Sequence, residues 1–203
     1  GCDRYRAPFI LEGGAIHVDG QGTVLTTEEC LLNRNRNPGR TRGDIERLLQ
    51  RYLNVDAVVW LGRGVHLDET DGHVDNLCAY VKPGEVVLTW TDDRDDPQYE
   101  ISRDAYERLM VARDARGRRF KVHKLMQPGP VHATPEEAAG VDAAEGTKSR
   151  EAGARLAASY VNFYLGTKRV VVPLLDAKRD GAALRKLAAL FPGREVVGVP
   201  GRE

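Results

Sequence analysis

The chain has 203 residues, 41% of them hydrophobic and 30% charged, and its 30 basic side chains balance 30 acidic ones. That composition suits a globular fold with a buried core and lacks the basic surplus that nucleic acid or an anionic membrane surface demands, so neither is an expected partner. Cys2, Cys30 and Cys78 are odd in number and irregularly spaced, which fits neither a disulfide framework nor a CxxC zinc site, and with no signal peptide or long apolar run a cytoplasmic protein is expected.

In chain order, Phe9-Ile10-Leu11 is an apolar run that predicts a strand ending at Glu12. Asp19-Gly20-Gln21-Gly22 reads as a tight hairpin turn, and residues 23–26 as a strand. The polar, turn-rich stretch 33–40 predicts a loop. A helix is predicted over 44–53, where Ile45, Leu48, Leu49, Tyr52 and Leu53 share one face; a buried strand over 57–61 follows. The same order returns as a strand at 86–90, a helix near 104–112 and a strand at 120–123. It returns again as a strand at 170–173, a helix over 180–191 and a strand at 196–199. Between these, residues 135–153 predict a surface loop, with a short helix near 151–158. Three strand–helix–strand repeats argue for an α/β fold. A doubly wound sheet shares that alternation, but no Gly-rich phosphate loop follows any of the strands. No linker separates the repeats, so residues 1–203 are read as one domain. Both ends run into apolar sequence, and the chain is read as a piece of a longer protein, truncated at both ends.

The densest polar cluster is Asp68-Glu69-Thr70-Asp71-Gly72-His73-Val74-Asp75-Asn76, with four acids and a histidine within eight residues. Such a group repels itself unless a cation compensates. His73 and Asp75, at i and i+2, point to one side of an extended backbone and make a competent acid/base unit. H-x-D occurs three times, at His17/Asp19, His66/Asp68 and His73/Asp75, which keeps a metal-dependent hydrolase open as an alternative. Glu12 is a carboxylate directly after an apolar run and needs a partner. Gly13 and Gly14 let the backbone pass close to a ligand or another strand.

Taken in order, Leu11-Glu12-Gly13-Gly14-Ala15-Ile16-His17-Val18-Asp19-Gly20, then Leu31-Leu32-Asn33 with Arg36-Asn37-Pro38, then 68–76, then Ser159-Tyr160-Val161-Asn162-Phe163-Tyr164 resemble the agmatine deiminases of the peptidylarginine-deiminase-like group. The resemblance implies an α/β propeller (pentein fold) of pseudo-symmetric ββαβ modules around a central site, about three of them present here. It implies hydrolysis of agmatine to N-carbamoylputrescine and ammonia, a step towards putrescine. His73 would be the general acid/base, Asp75 the ligand of the substrate guanidinium, and Glu12 the partner that orients His73, with Asp71 and Asn76 as further substrate-site candidates. No metal or other cofactor is implied. The partner is a small guanidinium molecule, with a homo-oligomer as a further expectation. The family's nucleophilic cysteine, in a Gly-Gly-Gly-Asn-Ile-His-Cys stretch, has no counterpart in this sequence, so the chain alone is expected to be inactive. Arginine or peptidyl arginine remain alternative substrates, and a guanidinium-binding relic without catalysis the non-enzyme alternative.

Overall fold

The hairpin turn at 19–22 forms through its own side chain. Asp19 Oδ1 accepts hydrogen bonds from Gln21 N at 2.7 Å and Thr23 N at 2.9 Å, and Gly20 and Gly22 take the positive φ the turn requires. In the computed structural model, which describes residues 3–140 and 150–202, this turn joins β1 (His17–Val18) antiparallel to β2 (Thr23–Thr27). The chain continues through the single turn α1 (Glu28–Leu31) and through α2 (Arg42–Leu53), and returns as β3 (Ala57–Leu61), parallel to β2. Each predicted strand–helix–strand repeat is thus the larger part of a ββαβ module. The second module is β4 (Cys78–Lys82), β5 (Glu85–Trp90), α3 (Gln98–Val111) and β6 (Lys121–Met126). After α4 (Pro135–Ala139) comes the third: β7 (Tyr164–Leu165), β8 (Arg169–Leu174), α5 (Asp180–Leu190) and β9 (Glu195–Pro200). Each sheet has three strands, with the second in the middle.

Packing follows from the alternation of side chains along the central strands. Val24 of β2 faces α2 and joins Ile45, Leu49 and Trp60, while Leu25 faces the next module and joins Leu61, Val86, Leu88, Ile101 and Leu109. Val87 of β5 points the other way, into a third cluster with Leu125, Val170, Val172, Leu187 and Phe191. Helix α3 therefore fills the space between the first and second sheets, and α5 that between the second and third. His17 Nδ1 accepts from Tyr80 N at 3.3 Å across the first junction, and burial holds the His17 ring below its ordinary pKa.

Four expectations need correction. Residues 9–11 form no strand; the Asn37 side chain replaces a neighbouring strand by accepting from Ile10 N at 3.1 Å and donating to Ile10 O at 3.2 Å. The helix near 151–158 does not form, because that stretch pairs with residues 131–133 through Ala133 N to Ala154 O and Leu156 N to Val131 O, both 2.8 Å. Helix α3 begins at Gln98, well before residue 104. Its start buries Gln98 and Ser102 beside Ile101, with Gln98 Nε2 donating to Ser102 Oγ at 3.0 Å, so the apolar face is interrupted by polar residues there and the helix start is hard to read. Helix α4 lies where a loop was expected, started by Pro135 and a capping box between Thr134 and Glu137. Residues 141–149 of that stretch, and Cys2, lie outside the described residues. Among the described residues no helix is long and apolar enough to cross a membrane.

Helix α2 starts with a reciprocal cap, Thr41 Oγ1 accepting from Asp44 N at 3.2 Å and Asp44 Oδ2 from Thr41 N at 2.8 Å. Thr41→Ala is expected to lower unfolding free energy by about 1 kcal/mol with an unchanged m-value in urea. A loss of under about 0.3 kcal/mol would mean that packing alone sets the helix start.

Candidate active site

After β3 the chain leaves the sheet and folds back over the ends of β2 and α1. Gly64 and Gly72 cross at contact, where a Cβ on Gly64 would stand 2.4 Å from Gly72 Cα. Thr27 Oγ1 donates to Gly72 O at 2.5 Å, and Glu29 Oε2 accepts from Gly64 N at 2.8 Å. Asp71 (φ 56°) and Gly72 (φ 90°) turn the chain in left-handed geometry. It then enters a single 3-10 turn, Val74–Asn76, pinned by the buried Val74. His73 precedes this turn with extended torsions and Asp75 lies within it, so the pair is not on a strand as its spacing predicts. The two side chains are still brought together, over Gly14: a Cβ there would lie 2.4 Å from His73 Nδ1 and 2.7 Å from Asp75 Oδ2. The missing side chain of Gly14 is the space that lets the first and third motifs meet.

Glu12 stands on the other side of the imidazole, with Oε2 3.2 Å from His73 Nε2 but off the line of a hydrogen bond. Its carboxylate is gripped by Arg36, whose Nε donates to Oε2 and whose Nη2 donates to Oε1 at 3.2 Å. Arg36 also donates to Thr70 O at 2.5 Å and lies 3.5 Å from Asp71 Oδ2. This is the cation that the acidic cluster requires. The hydrogen bonds from Arg36, then its charge and that of His73, hold the Glu12 carboxyl below the usual range.

Asp75 has the opposite environment. Burial pushes its pKa up, against the opposing pull of His73. Among the described residues Asp75 Oδ1 is buried without a hydrogen-bond partner. Asp71 Oδ2 accepts from Asn35 Nδ2 at 2.8 Å, which ties it to the Arg36 loop. Asn76 joins two other segments, its Oδ1 accepting from Asn162 Nδ2 at 2.9 Å and its backbone oxygen from Thr89 Oγ1 at 2.9 Å. Ser159 Oγ completes that link to Thr89 Oγ1 at 2.8 Å, so the fourth sequence motif packs on the third.

Among the described residues, one trio could offer metal donors, with Glu12, Cys30 and His73 atoms within 4.8 Å of one another. The set fits a cation poorly. Glu12 is already neutralised by a guanidinium, and burial pushes the Cys30 thiol up to about 11. Of the other H-x-D pairs, Asp19 builds its turn, while Asp68 Oδ1 accepts from Thr70 N and Oγ1 at 3.0 and 2.7 Å and its Oδ2 from Asn76 Nδ2 at 3.4 Å, so Asp68 flanks the His73 site as a partner of its own loop. Cys78 is fully buried and its thiol is pushed far up, in keeping with a core residue.

A family model described as Porphyromonas-type peptidyl-arginine deiminase matches residues 1–203. The chain belongs to this family. It is 55% identical to the agmatine deiminase of Ectopseudomonas mendocina over 204 aligned residues, covering 100% of this chain and 55% of that protein. A solved agmatine deiminase of Enterococcus faecalis superposes with a TM-score of 0.88 at 46% identity, over 95% of this chain and 53% of that one. A C. jejuni agmatine deiminase gives 0.74 at 26% identity, over 95% and 50%. The deiminase fold expected from the sequence is therefore the fold observed, and the chain spans about half the length of the curated relatives it matches.

Within this deiminase-family chain Arg36 had no expected role, although it lies in the second motif and the four acids of 68–75 call for a cation. Nor does the sequence single out Cys30, whose apolar setting gives no signal. Gly14 and Gly13 make a direct test of the crossing geometry, since nothing lies within 4 Å of a Cβ built on Gly13. Gly14→Ala should cost about 1–3 kcal/mol, the range of an overpacked site, and Gly13→Ala under about 0.5 kcal/mol. Equal urea midpoints for the two variants would show that the crossing has slack.

Proposed function

We propose that the longer protein containing these residues is an agmatine deiminase, with His73, Asp75 and Glu12 in its catalytic centre. The observation that carries this reading is Asp75 Oδ1, a buried acceptor with no partner among the described residues. Leaving such an oxygen unpaired costs folding free energy, which a planar, permanently charged guanidinium would recover by donating two parallel hydrogen bonds. Agmatine as the guanidinium is supported by the names of the relatives in E. mendocina and E. faecalis.

In this reading a cysteine thiolate attacks the guanidinium carbon and forms a C–S bond. The C–N bond breaks and ammonia leaves with a proton from His73. Water then adds as His73 takes a proton back, the C–S bond breaks, and N-carbamoylputrescine is released with the thiolate restored. Glu12 steadies the charged imidazole without a hydrogen bond to Nε2, which is buried and unpartnered among the described residues and so is left to serve the leaving nitrogen. Cys30 and Cys78 are unsuited as the thiolate, both buried with thiols pushed up. The nucleophile is assigned to the part of the relatives' length that this chain does not span.

In the longer protein Asp75→Asn is expected to lower kcat/KM by about a hundred- to a few-thousandfold, corresponding to about 3–5 kcal/mol for breaking a buried charge pair on one side. Asp19→Asn, the same chemical change in the hairpin turn, should cost about 1 kcal/mol of stability and little activity. A larger activity loss from Asp19→Asn at equal folded fraction would reverse the assignment. Burial also fixes a sign. The folded-state pKa of Asp75 is raised above 3.8, so ionised Asp75 opposes folding as pH rises through and above that value, and Asp75→Asn should leave the neutral-pH fold no less stable. The chain alone should release no ammonia from agmatine. Turnover abolished by Cys78→Ala would move the nucleophile into these residues, and activity on peptidyl arginine but not agmatine would change the substrate.

A further inference from the structure

Of the two partners in the Arg36–Glu12 pair, the arginine is the anchored one. The Arg36 side chain is 9% exposed and the Glu12 side chain 40%. Arg36 has contacts beyond the pair, with Thr70 O at 2.5 Å, Asn35 Oδ1 at 3.2 Å and Asp71 Oδ2 at 3.5 Å. Its backbone is fixed as well, with Arg36 N donating to Asn33 O at 3.1 Å and the adjacent Asn37 side chain bonded to Ile10 and to Leu31 O. The Glu12 backbone oxygen accepts from Ala15 N at 3.1 Å, but among the described residues only Arg36 hydrogen-bonds its carboxylate. No side-chain cap bond holds it at the start of the Gly13–Ala15 turn. A half-exposed glutamate on such a segment would sample several rotamers, most of which carry its carboxylate away from the imidazole.

We propose that Arg36 is a positioning residue of the site, which fixes both oxygens of Glu12 so that Oε2 stays against His73. The fork matters as well as the charge. Nε and Nη2 take one oxygen each, which sets the plane of the carboxylate and leaves the far side of Oε2 facing Nε2 at 3.2 Å. A lysine ammonium in the same place is a point charge that fixes no plane. The pairing also affects substrate choice. With both Glu12 oxygens committed to the chain's own guanidinium, the carboxylate oxygen beside His73 left without a partner among the described residues is Asp75 Oδ1. This inference builds on the reading of His73 as the acid/base group, and its test needs no turnover.

The charged and titratable groups around His73 are Glu12 before the Gly13–Ala15 turn, Cys30 on α1, Arg36 on the loop after it, and Asp68, Asp71 and Asp75 on its own segment. The experiment reads the Glu12 side chain by NMR at fixed pH, from three-bond couplings across Cα–Cβ and Cβ–Cγ and from nuclear Overhauser contacts between its γ protons and the His73 ring, in the chain and in Arg36→Lys. A fixed carboxylate should give a single rotamer with ring contacts when Arg36 is present, and averaged couplings with those contacts weakened about threefold or more in Arg36→Lys. Unchanged couplings and contacts in Arg36→Lys at equal folded fraction overturn the proposal, because an arginine that merely ties the loop down would leave Glu12 where it is. A second reading needs no change at residue 36, and so covers the case in which Arg36→Lys fails to fold. The Arg36 Nε–H should exchange slowly with water in the unaltered chain and faster in Glu12→Gln. A Nε–H that exchanges equally fast in both also overturns the proposal. Failure of either measurement leaves the Asp75→Asn kinetics untouched, so the two readings fall separately.

Discussion

Glu12 and Arg36 lie 24 residues apart, and the fork between them closes the loop that carries the second motif against the segment that carries the first. Thr70 is bound by the same guanidinium, which brings in the third. One side chain thus neutralises part of an acidic cluster that would otherwise repel itself, and does so where Asp71, His73 and Asp75 need fixed positions. In water such a pair would contribute little. Here the arginine is almost wholly buried, so its fixed bonds confer geometry more than net stability.

The sheets supply the platform. Because β2 and β5 lie at the centres of their sheets and are apolar on both faces, each module presses on a helix at one face and on the neighbouring module at the other. The site segments leave the ends of this packed stack. Thr27 at the end of β2 holds Gly72 directly, and Thr89 near the end of β5 holds the backbone of Asn76. Hydroxyls in nearly buried strand positions therefore set the height of the site above the core, and a threonine-to-valine change there would leave a buried carbonyl without its donor.

The parts of this architecture that apolar periodicity governs were legible in the sequence. Residues 57–61 form the predicted strand, and α2 and α5 lie within two residues of their expected limits. Motif order identified the family and brought Glu12, His73 and Asp75 together as candidates. Other parts were hidden for physical reasons. Strands β1 and β7 have two residues each, too few to show any period. Gln98 and Ser102 are buried beside Ile101, so polar residues interrupt the apolar face at the start of α3. Asn37 replaces a strand partner for Ile10, which makes an apolar run look like a strand where there is a loop. Arg36 could have been inferred, since the charge argument required a cation and the motif contained one. Which arginine would reach Glu12 depended on how the loop folds, and that is a tertiary fact.

Asp75 and Glu12 show how two carboxylates on one imidazole acquire different tasks. Glu12 is half-exposed, paired and held ionised, so it acts as a permanent countercharge. Asp75 is desolvated, with its pKa pushed up and one oxygen unpartnered, so its ionised form carries a cost that the fold alone does not offset. A guanidinium entering beside His73 would offset that cost with its charge as well as its hydrogen bonds, whereas a neutral donor would supply the hydrogen bond alone. In the proposed reading, selectivity for a cation rests on the unpartnered oxygen of Asp75, while the Glu12 carboxylate is already served by Arg36.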